Sequence, residues 1–145
     1  MKTDSSITAI YHIDQQTKVV RPLFSCQVSA GFPSPADDYI DRRLDLNELL
    51  IAHPAATFFV RAAGDSMTGV GINHDDILVV DRSLTAGSGK IVIAVLNGEL
   101  TVKRLVHTDT TCKLAAANPA YPDLEISAEA DFQVWGVVTS VIHQF

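Results

Sequence analysis

The chain has 145 residues, a formal charge of −6 and 47% apolar residues. That length suits one domain able to bury a core without metal or disulfide staples, and the apolar content excludes a disordered chain. Eleven scattered basic residues against seventeen acidic ones argue against a surface that grips nucleic acid unaided.

Residues 1–20 read as a polar tail, poorly ordered apart from one strand near Ile7–Ile13. Their acids and lack of an apolar stretch do not fit a signal peptide. Residues 21–36 (RPLFSCQVSAGFPSPA) carry three prolines and a glycine, which predicts an extended, exposed arm. This region also contains the longest charge-free stretch, Pro22–Ala36, too short and too broken for a membrane helix. A short helix follows. Asp45 suits its N-cap, Glu48 has capping-box spacing, Leu46, Leu49 and Leu50 supply an apolar face, and Pro54 stops it near His53.

Beyond this point the chain reads as strands: Thr57–Ala63, Ile77–Asp81, Lys90–Leu96, Glu99–His107, Cys112–Ala117, Leu124–Ser127 and Phe132–Gln144. Asn97-Gly98 is a strong hairpin signal. Strands alternate with turns and not with long helices. The expected fold is therefore mainly β, a partly closed antiparallel sheet with an extended N-terminal arm and one or two short helices. In the last strand, strict alternation puts Phe132, Val134, Val138 and Ile142 on one face and Trp135, Val137 and Val141 on the other. Burial of both faces fits either a dimer contact or a central strand.

Cys26 and Cys112 form no disulfide framework, and the composition predicts a soluble cytoplasmic protein with reduced thiols. The five histidines (12, 53, 74, 107 and 143) lack metal-ligand spacing, so no metal or cofactor is expected. Gly87-Ser88-Gly89-Lys90 lacks phosphate-loop spacing, and Gly64-Asp65-Ser66-Met67-Thr68 lacks the second glycine of a nucleophile elbow.

Two residues stand out. Ser66 follows an apolar strand through a glycine turn, which could place its hydroxyl at the sheet rim beside backbone N–H groups suited to an oxyanion; an ordinary strand-end turn explains the same residues. Lys103 falls opposite Val92 when Leu96 pairs with Glu99, and shares its face with Thr101 and Leu105, with Ala94 diagonal. At a pKa of roughly 10.4 a lysine is neutral about once in 2,500 molecules at pH 7, and burial would lower that barrier to its use as a base. A solvated lysine paired with Glu99 or Asp109 is the alternative.

Together these segments resemble the UmuD family, the mutagenesis-linked branch of the LexA-type self-cleaving peptidases. The resemblance runs from about Arg21 to His143. It rests on Pro22-Leu23-Phe24, the stretch from Ala30-Gly31 to Tyr39, Leu44-Asp45-Leu46-Asn47-Glu48-Leu49-Leu50, His53-Pro54-Ala55-Ala56-Thr57, Gly64-Asp65-Ser66-Met67, Ile77–Asp81, Gly98–Arg104 and Gly136-Val137-Val138. It implies a Ser66 nucleophile, a Lys103 general base and self-cleavage between Ala30 and Gly31. Residues 1–30 would then be a removable arm and 31–145 a catalytic body. It further implies a homodimer, stimulation by a RecA filament on single-stranded DNA, and assembly of the trimmed form with a UmuC-like Y-family polymerase and the sliding clamp. Direct sequence-specific DNA binding and membrane association are not expected. A non-catalytic polymerase-regulating module and a phage-type repressor fragment are the competing readings. The family's Gly-Asp turn before Ile77 is here His74-Asp75-Asp76, which predicts a strained turn.

Overall fold

The computed structural model describes residues 6–13, 18–24 and 40–145. Its strands, in chain order, are β1 (Ile7–His12), β2 (Val20–Phe24), β3 (Ile40–Asp45), β4 (Thr57–Ala62), β5 (Ile77–Asp81), β6 (Ile91–Leu96), β7 (Glu99–His107), β8 (Cys112–Ala115), β9 (Leu124–Glu125) and β10 (Phe132–Ile142), with one helix, α1 (Leu46–Leu50), after β3. The chain divides into two compact units, Met1–Ile13 with His53–Phe145, and Asp14–Ala52.

The larger unit is an antiparallel eight-stranded sheet in the order β1-β4-β5-β10-β6-β7-β8-β9. Asn97 and Gly98 close the β6–β7 hairpin with φ of 50° and 84°. Leu96 pairs with Glu99 and Val92 with Lys103, the register expected from a two-residue turn. The sheet curls on itself. Ser6, immediately before the edge strand β1, hydrogen-bonds to Thr101 and Val102 on β7, five places along the order. Twist makes such partial closure natural. Alternation feeds two apolar clusters. Val60, Met67, Leu78, Val80, Ile93 and Val102 anchor one, while Val92, Ala94, Leu105, Leu114 and Val137 anchor the other.

β10 is a central strand between β5 and β6; its apolar residues from Phe132 to Val138 pack within the subunit, while Val141 and Ile142 near its end are exposed. Its alternation is not strict. Register shifts between Val134 and Gly136 and between Val138 and Ser140 insert extra residues, and each bulge flips the faces that follow. Phe132, Val134 and Val137 therefore pack in one cluster, and Trp135 and Val138 in the other. Gly136 marks the first bulge. A β-carbon there would stand 2.7 Å from Val80 Cγ1, so only glycine fits without movement.

The strand expected near Ile7–Ile13 is present. Ile7–His12 pairs along β4 as an edge strand, Ile7 packs on the core, and the Arg61 guanidinium lies 5.7 Å from the Tyr11 ring centroid. An unpaired β4 edge and one well-placed isoleucine outweigh the polar composition. In the smaller unit β2 pairs with β3, and Pro22 falls within this two-stranded ladder, where a missing donor is tolerated. The beginning of the expected arm is thus a strand; Cys26 and the Ala30–Gly31 bond lie outside the described residues. Asp45 caps α1, accepting from Asn47 N–H at 3.0 Å. Glu48 instead pairs with Lys18 at 3.0 Å. The helix ends at Leu50, and Pro54–Ala56 forms a separate 3-10 turn.

Candidate active site

Strand β4 delivers the chain to Gly64, whose φ of 78° turns it sharply. Gly64 N–H donates to His74 Nδ1 at 3.0 Å. The turn before Ile77 carries the expected strain, with Asp75 at φ 69°, and it is held from beneath. Asp76 is buried, accepts from Asn73 N–H at 2.7 Å and pairs with His143 Nδ1 at 2.5 Å.

A second segment, which sequence reasoning missed, clamps the Ser66 turn. Ala117 N–H donates to Ser66 O (2.9 Å), and Gly69 N–H donates to Ala117 O (2.7 Å). Asn118 Nδ2 donates to Asp65 O (2.8 Å), and Tyr121 O–H donates to the Asp65 carboxylate (2.5 Å). A β-carbon at position 69 would collide with Ala117 O, so this docking demands glycine. Asn118-Pro119 and Tyr121-Pro122 signal a turn in the sequence, but nothing local says that it folds onto Ser66.

The structure brings Ser66 and Lys103 together. Lys103 Nζ lies 3.2 Å from Ser66 Oγ, 3.0 Å from Thr101 Oγ1 and 3.1 Å from Val102 O. Ser66 is 3% and Lys103 1% exposed, which removes the solvated alternative for Lys103. Burial lowers its ammonium from the usual 10.5 to about 8, because desolvation disfavours the charged form. About one molecule in ten then carries a neutral amine at pH 7. An unprotonated amine at this distance can take the proton of a hydroxyl.

Three of the five histidines brace the scaffold. His53 Nδ1 lies 2.6 Å from Asp81, His143 braces Asp76, and His74 accepts from Gly64. Among the described residues no cluster of three or more His, Cys, Asp or Glu could hold a metal, and no helix is long and apolar enough to cross a membrane.

Residues 22–139 match the peptidase S24-like family. The chain belongs to the peptidase S24-like family. Within it, the chain is 50% identical to Protein SamA of Salmonella typhimurium over 123 residues, 85% of each chain. It is 47% identical to Protein ImpA of Escherichia coli over 125 residues, 86% of this chain and 85% of that one. It is 44% identical to Protein MucA of Escherichia coli over 119 residues, 81% of each. The resemblance to the UmuD branch stands with these relatives. Ser66, Lys103 and the Ala117–Tyr121 clamp all fall inside the S24-like match, whereas Ser6 and β1 fall outside it.

Proposed function

We propose that the protein is a UmuD-like SOS mutagenesis protein that cuts its own chain between Ala30 and Gly31, with Ser66 as nucleophile and Lys103 as general base. The observation that carries this reading is the 3.2 Å approach of Lys103 Nζ to Ser66 Oγ in a buried setting.

In the first step the neutral Lys103 amine takes the Ser66 proton as Oγ attacks the Ala30 carbonyl carbon. The tetrahedral oxyanion is held by backbone N–H groups of the Ser66 turn other than that of Gly64, which is taken by His74. Lys103, now an ammonium, returns its proton to the Gly31 nitrogen as the peptide bond breaks, leaving residues 1–30 acylated on Ser66. A water then gives its proton to Lys103 as its oxygen attacks the acyl carbon; the bond to Ser66 Oγ breaks, Lys103 returns the proton to Oγ, and the fragment leaves as a carboxylic acid. Small side chains on both sides of the bond let an extended segment enter, and tethering supplies a high effective concentration.

A protein that carries its own substrate must hold it mostly undocked or its base mostly protonated, and both brakes suit a trigger from outside. A RecA filament on single-stranded DNA is the trigger that the family membership suggests. The trimmed product is then a homodimeric cytoplasmic subunit for a UmuC-like Y-family polymerase, with the sliding clamp as a further partner. Residues 1–30 hold three basic and two acidic residues, so trimming makes the body more acidic. Such a body reaches DNA through proteins more readily than by phosphate contacts.

Incubation at neutral pH with a preformed RecA–single-stranded DNA filament tests this role. A product starting at Gly31 is expected to accumulate at least about tenfold faster than with RecA alone, a rise equal to the shift from one-tenth to full occupancy of the competent state. Equal rates with and without the filament would reject the SOS role, whatever the chemistry.

A further inference from the structure

Ser6 stands before the family-matched residues 22–139, yet it is 1% exposed and lies against the two residues that precede Lys103. Its Oγ is 2.9 Å from Thr101 Oγ1 and accepts from Val102 N–H at 2.8 Å. Its carbonyl accepts from Ala63 N–H at 2.5 Å, which locks Ser6 to the end of β4. Thr101 Oγ1 is in turn 3.0 Å from Lys103 Nζ. A continuous hydrogen-bonded path therefore runs from Ser6 through Thr101 to Lys103 and Ser66.

We propose that Ser6 is a positioning residue of this site: its contacts with Thr101 Oγ1 and Val102 N–H fix the stretch of β7 that leads into Lys103, and so the placement of Nζ against Ser66 Oγ. The inference rests on the Ser66–Lys103 reading above. Either hydroxyl of the Ser6–Thr101 pair can donate to the other, and in both cases Thr101 Oγ1 has a fixed partner while it lies 3.0 Å from Lys103 Nζ. Thr101 is 4% exposed, so bulk water offers little replacement for that partner.

This arrangement has a topological consequence. Ser6 precedes the Ala30–Gly31 bond, so the segment severed by cleavage carries part of the apparatus that orients the base. After the cut, non-covalent contacts hold that part in place, among them β1 pairing, Ile7 packing on the core and the Ser6 contacts.

The test is the pH profile of self-cleavage in the full chain. Ser6→Ala is expected to lower the plateau rate above pH 9 by about tenfold, the size expected for losing the alignment but not the base. The midpoint near pH 8 stays within about half a unit, since burial sets it. Ser6→Thr, which keeps the hydroxyl, restores the plateau. Thr8→Ala, two residues along and exposed, leaves it unchanged. Where Ser6→Ala fails to fold, Ser6→Cys, similar in size but a weak hydrogen-bonding group, reads the same plateau. A wild-type plateau in folded Ser6→Ala or Ser6→Cys, with Lys103→Ala inactive, overturns the positioning role alone. Cleavage by Lys103→Ala at the wild-type rate instead overturns the Ser66–Lys103 reading on which it rests.

Discussion

Replacing Ser66 with Ala is expected to leave the chain at full length through prolonged incubation at pH 10, because the attacking oxygen is gone. Lys103→Ala is expected to cut roughly 10²- to 10⁴-fold more slowly, the usual contribution of a positioned general base. The double variant should be no slower than Ser66→Ala, since residues that act as one unit are not additive. Lys103→Arg should be as inactive as Lys103→Ala, because a guanidinium stays protonated throughout this range. The wild-type rate should climb about tenfold per pH unit below pH 8 and level above about pH 9, following an amine brought down to about 8 by burial. Quantifying the cleaved fraction on denaturing gels across pH 6–10 reads all of these. A rate that is flat across that range would remove Lys103 as the titrating base.

The second large effect is on stability. A lysine whose pKa falls from 10.5 in the unfolded chain to about 8 in the fold costs folding free energy wherever the unfolded chain is protonated and the folded one resists it. The shift corresponds to ~3 kcal/mol at pH 7. Hydrogen bonds from Nζ to Thr101 and Val102 offset part of the benefit of removing it. Lys103→Met, in a Ser66→Ala background that prevents cutting, is therefore expected to unfold in urea with ~1–2 kcal/mol more stability at pH 7. The sign of the pH dependence follows from proton counts. Between pH 8 and 10.5 the unfolded chain binds more protons than the folded one, so the lysine-containing protein gains stability as pH rises and the gap to Lys103→Met closes. A gap independent of pH would mean that Lys103 is not desolvated as the fold implies.

Much of this site is visible in local sequence. Asn97-Gly98 dictates a two-residue turn, the turn dictates register, and register puts Lys103 opposite Val92. Gly64 marks the turn that exposes Ser66 to the lysine. What local pattern cannot supply is contact between distant segments. Ser6 meets Thr101 across 95 residues of chain, and Ala117 meets Ser66 across about fifty; neither partner carries a local signature of the other. Strand β3 went unread because Ile40–Asp45 is dominated by charge and lacks apolar alternation. The two bulges of β10 escaped for a different reason. A bulge adds one residue without a composition signal beyond Gly136, and it reassigns every side chain beyond it.

In the proposed mechanism the buried serine and lysine break one peptide bond of their own chain. Intact-mass analysis of the purified wild-type protein after incubation at pH 10, without RecA or any protease inhibitor-sensitive contaminant, addresses it most directly. Two masses are expected, one for residues 1–30 and one for a fragment beginning at Gly31. A chain that stays whole, or one that is cut elsewhere, would contradict the mechanism.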